Sequence, residues 1–103
     1  MLLRLRSGWT LAPQPPADDR VQDTLPDALH KVYRFKNFRT AAAFVQQIGN
    51  ESETQKHHPA ILLEWGSVAV WWWSHALEGL HENDYIMAAR TDKLAEHAEG
   101  YTP

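Results

Sequence analysis

Cysteine is absent from this chain. That excludes disulfides, thiolate chemistry and every zinc site built on cysteine. It fits the cytosol or the nucleus without proving either. A basic excess is absent too: 10 Lys and Arg stand against 13 Asp and Glu, for a net charge of −3. A stand-alone nucleic-acid binder usually shows a basic face, so direct nucleic-acid contact is not expected. No apolar run reaches the length of a membrane span. Met1-Leu-Leu-Arg-Leu-Arg6 is too short and too basic for a span or a signal core. The Asp18-Asp19 pair and the neighbouring prolines argue against a transit peptide. The expectation is a soluble, cytoplasmic protein with no membrane partner, the nucleus remaining open. There is no internal repeat.

What is present is an ordinary globular composition, 44% hydrophobic and 22% charged over 103 residues. That length suits one domain over 1–103, with a core small enough that subunit association is a natural supplement. Leu3, Leu5, Trp9 and Leu11 permit a short strand over 3–11, with Trp9 as a core or lid residue. Pro13, Pro15, Pro16 and Pro26, mixed with acidic residues, predict a Pro/Asp-rich surface loop over about 12–27. Leu29, Tyr33 and Phe35 share one parity, with Lys31 the exception, and predict a strand over 28–36.

Asn37 is a good N-cap for the next element. Phe38, Ala41, Ala42, Val45 and Ile48 are spaced as a helical stripe, flanked by Phe44, and the helix runs to about Lys56. Gly49-Asn50 is a point where it can loosen. Pro59 ends it, because the residue before proline is pushed out of the α region. Residues 60–65 and 68–74 read as two strands joined by a type II′ turn at Gly66-Ser67. Val68, Val70 and Trp72 face one way, and Ala69, Trp71 and Trp73 the other. Both faces are apolar, as in a covered strand or an interface. After a turn at Gly79-Leu80, His81 opens a second helix with Asp84 as its capping acid. Ile86, Ala89 and Leu94 are its candidate buried positions, Gly100 its stop, and Tyr101-Thr-Pro a frayed end.

The chemistry-bearing residues are histidines. His30 and His97 read as solvated or satisfied residues, and His81 as a pocket border at most. His57 and His58 are adjacent in a non-helical segment, so they point in different directions and rarely share one packing task. His75 is the third candidate. Three imidazoles fit a zinc site with an open position for water. They equally fit metal-free acid/base work, since imidazole titrates near neutral pH. His-Glu-x-x-His is absent, and adjacent histidines seldom chelate one ion, which weighs against metal.

The pattern Glu53-x-x-x-His57-His58-Pro59, Trp65, Ser74-His75, Gly79-Leu80 and Asp84 resembles the pterin-4a-carbinolamine dehydratases. Tyr33-Arg-Phe35-Lys-Asn37-Phe38 and the Gly8-Trp9 pair match as well. The likeness covers most of residues 28–95 and, more loosely, the N-terminus. It implies an α+β fold: a four-stranded antiparallel sheet with helices packed on one face, in the order β-β-α-β-β-α. It implies a homodimer or homotetramer and the dehydration of 4a-hydroxytetrahydrobiopterin to quinonoid dihydrobiopterin, in tetrahydrobiopterin recycling. No cofactor or metal is expected. His57, His58 and His75 would surround the pterin, with His58 and His75 as the acid/base pair and His57 orienting the substrate. Glu53 and Asp84 would set histidine protonation or bind the pterin edge. Pro59, Trp65 and Ser74 complete the expected substrate-binding set, and Trp65 or Trp73 would border the flat ring.

The chain departs from the family where Ala76 follows His75, where His81 stands in place of a threonine cap, in a longer 12–27 loop, and in the Trp71-Trp72-Trp73 run. Two other readings stand beside the enzyme. One is a non-catalytic protein-binding or dimerisation module of the transcriptional coactivator type. The other is a relative acting on another pterin.

Overall fold

The computed structural model describes residues 8–15, 27–74 and 80–103. The elements are β1 (Thr10–Pro13), β2 (Asp27–Arg34), α1 (Phe38–Gln55), β3 (Ala60–Glu64), β4 (Ser67–Trp72) and α2 (Glu82–Glu96). The expected β-β-α-β-β-α order is found. The sheet runs β1-β2-β4-β3, and every neighbouring pair is antiparallel. The helices cover one face. There Leu29, Tyr33, Phe35, Val68, Val70 and Trp72 meet Ala41, Phe44 and Ile48 of α1 and Met87, Ala88 and Ala95 of α2. Burying a side chain of this size is worth about 1.5–3 kcal/mol.

Several boundaries differ from expectation. The first strand runs on through Pro13, in register with Asp27. Proline is tolerated because β1 is an edge strand, where a missing donor breaks no ladder. Ala12, Pro13 and Asp27 of the 12–27 stretch are therefore strand, Gln14 and Pro15 are not, and residues 16–26 and 3–7 lie outside the described residues. The hairpin turn is Trp65-Gly66, since Glu64 pairs with Ser67. Neither Trp65 nor Gly66 has a positive φ, so the turn is not type II′. Glycine is needed there for close approach instead. The Phe35 N–H donates to the Gly66 carbonyl at 2.8 Å, and a Cβ on Gly66 would sit 2.9 Å from the Phe35 carbonyl oxygen.

Helix α1 begins as expected, with the Asn37 side chain accepting from the Thr40 N–H at 2.9 Å. It runs unbroken through Gly49-Asn50. Its buried stripe is Thr40, Ala41, Phe44, Ile48 and Ser52, and Phe38 stays exposed. The expected stripe shares Ala41 and Ile48 with this one. Spacing alone cannot choose between two overlapping stripes, and the fit of Phe44 against Tyr33 and Phe35, at 5.0 and 5.1 Å between ring centres, decides it.

Helix α2 departs further. It buries Asp84, Met87, Ala88, Thr91, Asp92 and Ala95, while Ile86 and Ala89 are exposed and Leu94 is half-buried. Half of its inner stripe is polar, which a search for apolar periodicity cannot see. Asp92 explains why. One of its oxygens accepts from Lys31 Nζ at 2.7 Å and Tyr33 Oη at 2.6 Å, and the other from Trp9 Nε1 at 2.9 Å. Lys31, the exception in the β2 pattern, is thus buried with a partner. The Gly8-Trp9 pair fits the same cluster. Gly8 has φ +103°, and the Lys31 stem lies where a Cβ would be.

The C-terminus is not frayed. Tyr101 bridges Phe35, and the Thr102 N–H donates to the Arg34 carbonyl at 2.9 Å. Gly100, at φ +82°, makes the turn beyond α2, where a Cβ would collide with the Thr40 side chain.

The other sheet face carries His30, Val32, Ala69, Trp71 and Leu62. His30 stacks on Trp71 with ring centres 4.6 Å apart. Desolvation lowers its pKa below the ordinary 6.5. The folded chain therefore binds this proton less readily than the unfolded chain, so stability drops as pH falls from 6.5 toward the folded value. Urea midpoints measured above and below pH 6.5 are expected to show that loss, and His30→Phe, which keeps the stack, to reduce it. Among the described residues no helix is long and apolar enough to cross a membrane.

Candidate active site

The end of α1 delivers the first histidines. Lys56 adopts the left-handed conformation (φ 55°), and its N–H returns to the Ser52 carbonyl. The His57 N–H bonds the same carbonyl at 3.1 Å. Pro59 then holds the chain extended into β3. This sharp exit places His57 inward and His58 outward, with side chains 17% and 57% exposed.

His57 Nε2 lies 2.6 Å from Asp84 Oδ1. Asp84 is fully buried in the first turn of α2. Its other oxygen accepts from Ser74 Oγ at 3.0 Å and from the His81 N–H at 2.8 Å. The capping acid foreseen from sequence is therefore also the carboxylate that holds His57. A carboxylate only accepts, so it selects the tautomer with the proton on Nε2. The Nδ1 edge of the ring is then left as an acceptor, with no hydrogen-bond partner among the described residues. His58 Nε2 lies 2.5 Å from Glu53 Oε2 on the exposed side. Each histidine of the motif thus carries its own carboxylate, one buried and one at the surface.

Ser74 is buried and touches Asp84, so in this geometry its hydroxyl orients the acid. Pro59 is half-buried between His58 and β3. Trp65 is 70% exposed in the β3–β4 turn. That turn is at the far end of the hairpin from His57, some five residues or about 17 Å along the strand. The structure brings Glu53, His57, His58, Ser74 and Asp84 to one end of the sheet and leaves Trp65 at the other. Trp73 is half-buried just past β4. His75, Ala76 and Gly79 lie outside the described residues. No group of three or more His, Asp or Glu side chains suited to a metal ion occurs among the described residues.

One contact was not foreseen. Trp72 lies parallel to the His57 ring, at 7° and 5.7 Å between ring centres. Alternation grouped Trp72 with Val68 and Val70, and the structure makes theirs the core face. Nothing in the sequence signals that the indole would lie parallel to the imidazole.

The family model described as pterin 4 alpha carbinolamine dehydratase matches residues 1–94. Among solved structures, a transcriptional coactivator/pterin dehydratase from Brucella melitensis is similar, with a TM-score of 0.66 and 27% identity. The match covers 85% of this chain and 82% of that one. A pterin dehydratase-like protein identified as a RuBisCO assembly factor in the alpha-carboxysome matches with a TM-score of 0.63 over 84% of this chain and 88% of that one. At 23% identity that second likeness shows the fold alone. With a family match across nearly the whole chain, and the motif's two acids each paired with one of its histidines, the chain belongs to the pterin 4 alpha carbinolamine dehydratase family.

Proposed function

We propose that this protein dehydrates 4a-hydroxytetrahydrobiopterin to quinonoid dihydrobiopterin, by metal-free histidine acid/base catalysis, in tetrahydrobiopterin recycling. The observation that carries the reading is the His57–Asp84–Ser74 arrangement beside the His58–Glu53 pair. Loss of water needs a proton delivered to the departing 4a-hydroxyl and a base to take a proton from a ring N–H. His58, exposed and paired to Glu53, exchanges protons with solvent and serves with His75 as the acid/base pair. His57, locked by a buried carboxylate, orients the pterin. Acid/base catalysis of this kind contributes about 10²–10⁴-fold. We further place the protein in the cytoplasm, as a homodimer or homotetramer.

The solvent-facing side of the sheet favours a second reading, a protein-binding module of the coactivator type. Val32 and Leu62 are 40% and 50% exposed there, beside the His30–Trp71 stack.

The test generates the carbinolamine in situ with phenylalanine hydroxylase and follows its dehydration with and without the protein. Acceleration that scales with protein concentration supports the enzyme. No acceleration by folded protein sinks it and moves the search to other pterins and to protein partners.

A further inference from the structure

We infer that Trp72 and Thr91 are positioning residues for His57, the indole acting as a plate that sets where the Nδ1 edge of the imidazole points. The Nε2 bond to Asp84 fixes one atom of the ring but leaves it free to rock about that bond. A parallel ring against its face removes this freedom, and offset-parallel aromatic pairs with centres 4.5–7 Å apart are favourable. The 7° angle and 5.7 Å separation place Trp72 in that arrangement.

The plate is itself fixed. Trp72 is 1% exposed. Its Nε1–H donates to Thr91 Oγ1 at 3.0 Å, and the Thr91 hydroxyl donates to the Met87 carbonyl at 2.6 Å. The hydroxyl proton is committed to the helix, so its lone pair is aimed at the indole. An indole N–H can only donate. The chain Met87–Thr91–Trp72 therefore has one direction and holds the indole against rotation. Asp84 and Thr91 both sit on α2, so one helix holds the imidazole by its nitrogen and, through Trp72, by its face.

The geometric part of this inference stands independently of the reaction, and only its kinetic consequence rests on the dehydratase reading. The test uses the full chain with Trp72→Leu, Trp72→Phe, Thr91→Val and Thr91→Ser. The first readout is the ¹⁵N shifts of the two His57 ring nitrogens at mildly alkaline pH, with those of His81 and His97 as internal controls. Wild type is expected to show one protonated nitrogen, Nε2, and one bare nitrogen, Nδ1. In Trp72→Leu and Thr91→Val the unsupported ring is expected to swing far enough to break its bond to Asp84 part of the time, which suspends the tautomer selection, so the two shifts move toward each other, with His81 and His97 unchanged. Trp72→Phe keeps an aromatic face and Thr91→Ser keeps the hydroxyl, so both are expected to restore the wild-type pattern.

The second readout is turnover. Trp72→Leu is expected to lower kcat by about 10–10²-fold, the scale of a misplaced catalytic group, with KM little changed. Wild-type His57 shifts in folded Trp72→Leu and Thr91→Val overturn the inference, whether or not the chain turns over. If Trp72→Leu does not fold, the volume-conserving Thr91→Val decides alone. If wild type shows no turnover, the dehydratase reading fails and the nitrogen shifts still decide the positioning role.

Discussion

Asp84→Asn is expected to reduce dehydration by about 10²-fold, the scale of a misplaced orienting group, while the chain stays folded. The argument is one of donors and acceptors. Asp84 accepts from His57 Nε2, Ser74 Oγ and the His81 N–H. An asparagine offers one acceptor oxygen and turns an NH₂ group toward one side. If the oxygen keeps the His81 N–H and Ser74, the NH₂ group faces His57 Nε2. The imidazole must then move its proton to Nδ1, which reverses the edge offered to substrate. His57→Ala is expected to fall in the same range. His81→Ala disturbs the cap without altering the carboxylate and is expected to cost only about 0.5–2 kcal/mol of stability. The check is the coupled phenylalanine hydroxylase assay, with circular dichroism on each variant. A folded Asp84→Asn protein within threefold of wild-type rate would refute a role for the Asp84–His57 pair.

The largest effect on stability is expected at Asp92. Asp92→Ala leaves the Lys31 ammonium buried without its counter-ion and takes the acceptor from the Trp9 indole. Breaking a buried pair from one side costs about 3–5 kcal/mol. A domain of this size has about 5–15 kcal/mol in total. Urea unfolding should therefore show a large fall in midpoint, with the slope kept if two-state behaviour survives. Lys31→Met combined with Asp92→Leu removes both charges and is expected to recover much of the loss, since a well-packed apolar pair often matches a buried ion pair. The cluster ties Trp9, β2 and α2 together. Its loss should free the N-terminal edge strand first, seen as faster amide exchange in residues 10–12 than in β4. The exposed pairs Arg39–Glu99 and Arg90–Glu51 make a useful contrast. Arg39→Ala is expected to change stability little, because solvent-exposed ion pairs contribute about 0–1 kcal/mol.

Much of this architecture is legible in the chain. Alternation assigned the core face of the strand in 28–36 and grouped Val68, Val70 and Trp72 on one face of the strand in 68–73, without saying that this face is the core. Asn37 marked the start of α1 and Pro59 its limit. His81 and Asp84 marked the start of α2. Where the reading failed, the reason is tertiary. The α1 stripe turned on whether Phe38 or Phe44 met the aromatic cluster, and both fit the same spacing. The α2 stripe was missed because its inner face carries Asp84, Thr91 and Asp92, whose side-chain partners outside α2 and its cap are 10 to 83 residues away in sequence. Tyr101 was read as fraying, but it finds Phe35 across the fold.

The same division holds at the site. Residue types and spacing, through the family resemblance, singled out Glu53, His57, His58, Ser74 and Asp84. They did not say which acid serves which histidine. That required the left-handed turn at Lys56, which sends His57 inward to a buried carboxylate and leaves His58 outward beside Glu53. The sequence by itself determined the elements, their order and the candidate chemistry, because periodicity, caps and motif residues are local properties of a chain. Only the tertiary structure decided the pairing of Asp84 with His57, the burial of Lys31 with Asp92 and the Trp72 plate. Each of these joins residues from separate elements, and a contact between distant residues exists only once the chain has packed.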